Sequence, residues 1–393
     1  MARTQKPLYW PNVLFLTLSP LAALIGAVVY TRLYGIHPLE ITLFLLMFFA
    51  TGLSITGGYH RHFAHVSYKA HPLVRLFYLI FGACALQNSV LNWASDHRNH
   101  HKYVDTERDP YNAALGFWTS HIGWIFYQSP VDRSFTNVGD LLRDQWVRWQ
   151  HRYHWQVAVV VGFGFPLLAG ALIGRPVGGL IWGGLVRVVF VHHMTFFINS
   201  LAHMWGRQPY ARTDTSRDSW WLAFLTNGEG YHNFHHRFPS DYRNGIHWYQ
   251  WDPTKWMIWA LHAVRMTERL HRIPPHLILK ARVEVDAIDA EMHLQRIAPE
   301  LGVSWRQRLE AAKVRMDHAM VQWAEAKAKI RELKETAWKD SEHTRHAAAD
   351  EARRAVATAR QHWKAKLQEY ESRLKGARNE WRLLLQGLSN IPA

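Results

Sequence analysis

The sequence predicts an all-α integral membrane protein. It should have four transmembrane helices, interfacial helices, a histidine-lined cap on one side of the membrane, and a C-terminal helical, coiled-coil-like extension. Three observations predict this. Four long stretches are almost free of charge. Histidines recur at helical spacing just beyond the ends of those stretches. From about residue 303 the chain turns to Lys, Arg, Glu and Ala in a heptad-like pattern.

Residues 11–30 and 39–59 form the first pair of apolar stretches, and residues 153–173 and 176–200 the second. Each is close to the roughly 20 residues a helix needs to cross a bilayer. The connectors are short; the second is little more than Gly174-Arg175-Pro176. Each pair therefore reads as an antiparallel hairpin. Two further segments, 73–92 and 112–127, are apolar but interrupted by Arg75, Gln87, Asn88 and Asn92 in the first and by His121 in the second. If 73–92 crossed, His97 would lie across the bilayer from His60, so both segments are placed flat on the interface as amphipathic helices. Residues Trp248–Met266 carry Trp248, Tyr249, Trp251, Trp256 and Trp259, and read as another interfacial helix. Pro274-Pro275 marks a domain edge, giving a membrane domain over 1–275 and an extension over 276–393. In the extension, Leu309, Ala312, Met316, Ala319, Trp323, Ala326, Ile330, Leu333 and Ala337 alternate by threes and fours. The stripe lapses near Asp340–Arg345 and resumes from Val356 in a new register. It predicts a helical hairpin or one long helix with a register break.

Composition narrows the function. The chain has 393 residues, a formal net charge of +15 and a mean hydropathy of −0.22 that averages over a strongly apolar first half. With 20 Trp and spanning runs, the positive charge points to an anionic membrane surface and not to nucleic acid. Cys84 is the single cysteine, which excludes an intrachain disulfide and Cys-x-x-Cys metal chemistry. No short apolar core followed by a small-residue cleavage site opens the chain, so no removable signal peptide is expected. Arg3, Lys6, Arg61, Lys69, Arg75, Arg143, Arg148, Arg152, Arg207, Arg212 and Arg217 fall on the histidine side, against mainly Arg32 and Arg175 on the other. The histidine side, with both termini, is therefore cytoplasmic.

There are 26 histidines. His232, His235 and His236 stand at i, i+3 and i+4, and His97, His100 and His101 repeat that spacing. His60 and His65 lie upstream, and His203 follows Asn199 by four. On helices these spacings share a face. Nine imidazoles are too many for one tetrahedral ion and suit two neighbouring metals with open positions. Asp96 and Glu229 are available as carboxylates behind them. His62, His71, His121, His151, His192 and His193 read as packing or interfacial residues. Glu268-x-x-His271 lacks the further carboxylates of a soluble di-iron bundle and reads as chance.

The motifs His60-Arg61-His62-Phe63-Ala64-His65, Asp96-His97-Arg98-Asn99-His100-His101, Asn199-Ser200-Leu201-Ala202-His203-Met204-Trp205-Gly206 and Gly228-Glu229-Gly230-Tyr231-His232-Asn233-Phe234-His235-His236 resemble those of the membrane fatty acid desaturases. The likeness is to the stearoyl-CoA (acyl-CoA delta-9) type, in a bacterial form without a fused cytochrome b5. It covers roughly residues 10–265. The resemblance implies a cytoplasmic cap holding two iron ions on the nine histidines, with Asn199 joining through a water and no catalytic residue beyond the metal centre. It implies O2-dependent removal of two hydrogens from a saturated acyl chain, giving a cis double bond, most often at the ninth carbon. By the same likeness Trp93 and Thr195 line the acyl tunnel, and Asn88 and Asp96 meet the thioester arm. Two departures bear on the head group. Ser95 stands where animal members have Arg, and Ile125-Phe126-Tyr127-Gln128 where they have a basic pair after Gly123-Trp124. Acyl-CoA leads, with phospholipid and acyl carrier protein as alternatives. With no His-Pro-Gly-Gly in the chain, electrons are expected from a separate ferredoxin or flavoprotein reductase. The rival readings are an acyl or lipid hydroxylase on the same scaffold, and a metal transporter. The transporter would need ionisable residues deep in its spans, where Arg187 is the only clear charge.

Overall fold

The computed structural model describes residues 7–127, 134–297, 299–343 and 347–391 of the chain. Arg3, Lys6, Gln128 and Arg345, invoked above, lie outside these, as do the side chains of Ala337 and Asp340. Four helices are long and apolar enough to cross a membrane: α1 (Trp10–Tyr34), α2 (Pro38–Ala64), α5 (Gln145–Ala171) and α6 (Pro176–Met204). All four outrun the apolar stretches that announced them, α1 by continuing past residue 30 to Tyr34. Helix α2 continues past residue 59 to Ala64, α5 begins at Gln145 and α6 ends at Met204. The spans continue as polar helix beyond the apolar stretch, and so carry His60 and His203 on their own last turns.

The two segments expected at the interface are more broken than the sequence suggests. The 73–92 segment is not one helix. Helix α3 (Pro72–Ala83) stops before a loop, and α4 starts at Val90 and runs to Tyr103. At 12 residues, α3 rises roughly 18 Å, well short of the about 30 Å hydrocarbon core. The 112–127 segment is three short turns, Ala113–Leu115, Phe117–His121 and Gly123–Phe126. Asn112 caps the first, and Gly116, at φ +95, breaks it from the second. The aromatic helix is shorter than expected. Helix α8 covers Pro253–Ala263, because Pro253 sits at its first turn and the Asp252 side chain accepts from Lys255 N–H. Trp248, Tyr249 and Trp251 precede it. Ahead of α8 lies α7 (His232–Arg237).

Glu40 latches the two hairpin turns to each other. Its buried carboxylate accepts from Tyr30 Oη–H at 2.6 Å and from Arg175 Nε–H at 2.8 Å. Gly178 permits this approach, since a Cβ there would stand 1.8 Å from Glu40 Oε1. A two-residue ladder pairs β1 (Lys69–Ala70) antiparallel with β2 (Thr267–Glu268). The core of this part packs Tyr59, Phe63, Tyr68, Tyr78, Leu79, Leu91, Val147 and Ile258 between α2, α3, α4, α5 and α8.

The chain divides into two compact units: 1–208 with 212–273, and 209–211 with 274–393. The second unit is a bundle of α9 (Pro275–Leu294), α10 (Pro299–His343) and α11 (Ala347–Ser389). Of the two sequence alternatives, this is the hairpin: Arg315 pairs with Glu380, and Trp305 packs on Gly387. Leu309, Ala312, Met316, Ala319, Trp323 and Ala326 of the expected seam are buried, and Trp381 and Leu388 close it from α11.

Candidate metal centre

The last eleven residues of α2, Ser54–Ala64, wind as a π-helix. This has a direct consequence for His60 and His65. Spaced by five, they would diverge on an α-helix by about 140° at 100° per residue. The wider π turn, with its i→i+5 bonds, stacks them instead: His65 N–H donates to His60 C=O at 3.1 Å and the rings stand 4.8 Å apart. Helices α4 and α7 supply the two His-x-x-His-His triplets, and α6 supplies His203.

The nine histidines assemble into two groups. His60, His65, His97, His101 and His235 form one, and His100, His203, His232 and His236 the other. Within each group the candidate ligand atoms all lie within 4.8 Å of one another. Both triplets divide alike. The i, i+4 pair joins one group and the residue at i+3 crosses to its neighbour, so α4 and α7 each serve both. His60 and His97 share a group with their rings 4.6 Å apart. The 73–92 segment therefore does not separate them.

What surrounds the rings decides whether a metal fits. His60 Nδ1 meets Glu229 Oε2, and His100 Nδ1 meets Asp109 Oδ1, both at 2.9 Å. A carboxylate only accepts, so these rings carry their proton on Nδ1 and turn bare lone pairs inward from Nε2. His203 Nδ1 meets Thr215 Oγ1 at 2.9 Å, and His97 Nδ1 meets Tyr111 Oη at 3.2 Å. Inside, Nε2 faces Nε2: 2.9 Å for His60 and His235, 2.8 Å for His65 and His97, 3.0 Å for His101 and His235, 3.1 Å for His232 and His236. Ligand atoms about 2.1 Å from one ion sit about 3.0 Å apart along an octahedral edge. The observed separations match that edge, and a cation in each group turns mutual repulsion of lone pairs into coordination. His203 Nε2 is buried without a hydrogen-bond partner, as such a ligand should be. The residues present therefore fit two imidazole-ligated ions.

Burial, then the neighbouring imidazoles, push His65, His97, His101, His235 and His236 well below the ordinary histidine range, which keeps them neutral ligands. Burial alone would raise Glu229. The His60 ring and the Arg61 guanidinium overcome it and hold the carboxyl down at about 2. Arg61 reaches Glu229 at 2.8 Å and Asp252 at 3.1 Å, and Asn244 Nδ2–H donates to Glu229 at 2.7 Å.

Of the carboxylates the sequence put behind the ligands, Glu229 is in place. Asp109, Tyr111 and Thr215 escaped sequence reasoning; they come from loops whose partners no periodicity announces. Asp96 is half-buried on α4, and its charge reaches Tyr111. Asn199 ends the Arg187–Asn199 part of α6, four residues before His203. His62, His71, His121, His151 and His192 each meet a nearby polar group, at Tyr68 C=O, Leu73 N–H, Ser200, Ser89 and Ala85 C=O.

On the other side of the five-histidine group, Trp93 lies flat on His97, rings 4.9 Å apart. Its indole N–H donates to Gln87 Oε1 at 3.3 Å, and Gln87 Nε2–H donates to Thr195 Oγ1 at 2.9 Å. Gln87, noted above only as an interruption of an apolar run, thus links the two residues assigned to the acyl path. Thr195 borders a small cavity whose walls mix apolar Phe48, Ile55, Val191, Met194 and Ile198 with polar Thr56, Thr226 and Asn227. Asn88 is exposed in the 84–89 loop at φ +74. Ser95 donates to Asn137 at 2.8 Å.

A family model described as fatty acid desaturase matches residues 38–269. The chain is 43% identical over 260 residues to acyl-CoA desaturase 1 of Saccharomyces cerevisiae, covering 65% of this chain and 51% of that protein. It is 40% identical over 284 residues to a probable acyl-CoA desaturase of Schizosaccharomyces pombe, covering 71% and 58%. To sn-2 palmitoyl-lipid 9-desaturase of Nostoc sp. it is 33% identical over 273 residues, covering 68% and 92%. The chain therefore spans little more than half the length of the two yeast relatives.

Proposed function

The chain belongs to the fatty acid desaturase family, and from that membership we propose that it is an O2-dependent desaturase of saturated fatty acyl chains, working through two iron ions held by the nine histidines. The observation that carries this is the division of the imidazoles into two adjoining groups, five and four. An unactivated methylene has no acidic proton, so acid–base chemistry cannot break its C–H bond. When bound, the two irons supply the oxidant, formed from O2 and two electrons, that abstracts hydrogen. The sum balances: –CH2–CH2–, O2, two electrons and two protons give –CH=CH– and two waters.

The protein's residues do the rest. Glu229 and Asp109 keep the protons of His60 and His100 on Nδ1, and Tyr111 and Thr215 orient His97 and His203. Asn199 holds a water at the four-histidine group. Trp93, Gln87 and Thr195 brace the acyl chain so that one pair of carbons meets the metals. Asn88 and Asp96 meet the thioester end. The substrate we favour is acyl-CoA, with a cis double bond at the ninth carbon. Acyl-lipid is the second reading, favoured by uncharged Ser95 and Tyr127 and by the name of the Nostoc relative. Electrons come from a separate ferredoxin or flavoprotein reductase, and the site faces the cytoplasm.

The test is to give purified, iron-loaded protein one saturated acyl group, as CoA thioester and as phospholipid, with O2 and a reductant, and weigh the products. Loss of two hydrogens is expected. Gain of one oxygen instead would make the protein a hydroxylase.

A further inference from the structure

Arg187, the only clear charge the sequence places inside a span, is fully buried in α6, and among the described residues no carboxylate meets it. A lone cation there is costly unless its donors are satisfied. Its Nε–H donates to Gly183 C=O at 3.1 Å, one Nη to Gly162 C=O at 2.7 Å, and the other to Cys84 C=O. Gly162 and Gly183 lie in π-helical turns of α5 and α6, and Cys84 caps the C-terminus of α3.

The last of these contacts begins a series. His192 Nε2–H donates to Ala85 C=O at 2.8 Å, and Thr195 accepts from Gln87 at 2.9 Å. Residues 187, 192 and 195 of α6 thus hold residues 84, 85 and 87 in order. The loop does not take this path unaided, because Leu86 and Asn88 sit at φ +54 and +74, where side chains other than glycine are disfavoured. Its far end is tied to α5, where Gln150 accepts from Val90 N–H at 3.0 Å and His151 meets Ser89 at 2.7 Å. Between the two anchors Gln87 joins Trp93, which lies on His97, to Thr195 on α6.

We propose that Arg187 is a positioning residue for double-bond placement: with His192 it fixes the 84–88 loop on α6, and so sets where Gln87 stands between Trp93 and Thr195 and which carbons of the acyl chain meet the metal ligands. The inference rests on the desaturase reading. Releasing the loop lets Gln87 leave its place between Trp93 and Thr195, so the bound chain shifts against a metal site that α2, α4, α6 and α7 still hold.

The experiment compares full-length, iron-loaded wild type with Arg187→Lys, Arg187→Met and His192→Leu on one saturated acyl substrate. It reads iron content, kcat and KM separately, and double-bond position by mass spectrometry. Arg187→Met and His192→Leu should keep their iron and give a several-fold larger share of displaced double bonds, while Arg187→Lys stays nearer wild type. Lower turnover with the position unchanged, in either variant, overturns the proposal and leaves the desaturase reading standing. His192→Leu removes a single neutral donor, so it decides the matter if Arg187→Met does not accumulate. A wild-type control that forms no double bond overturns the desaturase reading, and the inference with it.

Discussion

Glu229 sits where charge, tautomer and packing meet. It fixes the proton of His60, neutralises buried Arg61 and takes Asn244 N–H. Glu229→Gln keeps the volume but removes the charge that holds the His60 proton on Nδ1. Groups that hold a metal ligand in this way typically account for 10- to 100-fold in affinity. The expected result is weakened iron binding in the five-histidine group, read by titration with a competing chelator; unchanged affinity would deny Glu229 that role. Acid should act on the same atoms. His65, His97, His101, His203, His232, His235 and His236 have folded pKa values below the ordinary 6.5, so the unfolded chain binds more protons below that pH. Their contribution to stability is complete above about pH 6.5 and falls as pH drops beneath it. That of Glu229 is complete above about 4.5 and lost as pH falls toward about 2. Metal release followed against pH should therefore begin below 6.5, with several protons taken up per chain. Release that begins on the alkaline side would contradict neutral imidazole ligands.

Among the elements, the π-helical end of α2 has the largest functional consequence and left the least trace in the sequence. His60 and His65 were visible as candidates. Their spacing of five fits no α-helical face, and nothing in Ser54–Ala64 announces a wider turn. Deleting Gly57 should return the segment toward α-helical pitch and swing His60 away from His65. Iron should then be lost from the five-histidine group while helix content, read by circular dichroism, stays near wild type; full iron retention would show that the π turn is dispensable. The α4 and α7 triplets were legible because i, i+3 and i+4 share an α-helical face, as were the spans, through length and absence of charge. Helix ends were less legible, since α2 and α6 continue into polar sequence where hydropathy is silent. At the hairpin turns, Glu40→Ala leaves Arg175 and Tyr30 without their buried acceptor. The melting temperature should therefore fall; no change would mean that the latch does not contribute to stability.

At the scale of the molecule, residues about 175 positions apart, His60 and His235, come within 2.9 Å at Nε2. The sequence could argue for that convergence only through the side of the membrane each cluster must occupy. It could not show how the ligands divide between two groups, or that loops bring Asp109 and Thr215 behind them. The 274–393 bundle has its own buried core. We expect truncation after residue 273 to leave the metal site intact; loss of iron would make the bundle part of the catalytic fold. The most direct measurement is metal content of the active, full-length protein by elemental analysis. Two irons per chain are predicted, with His203→Ala reduced toward one. Zinc alone, or a single iron in fully active material, would contradict the two-iron centre.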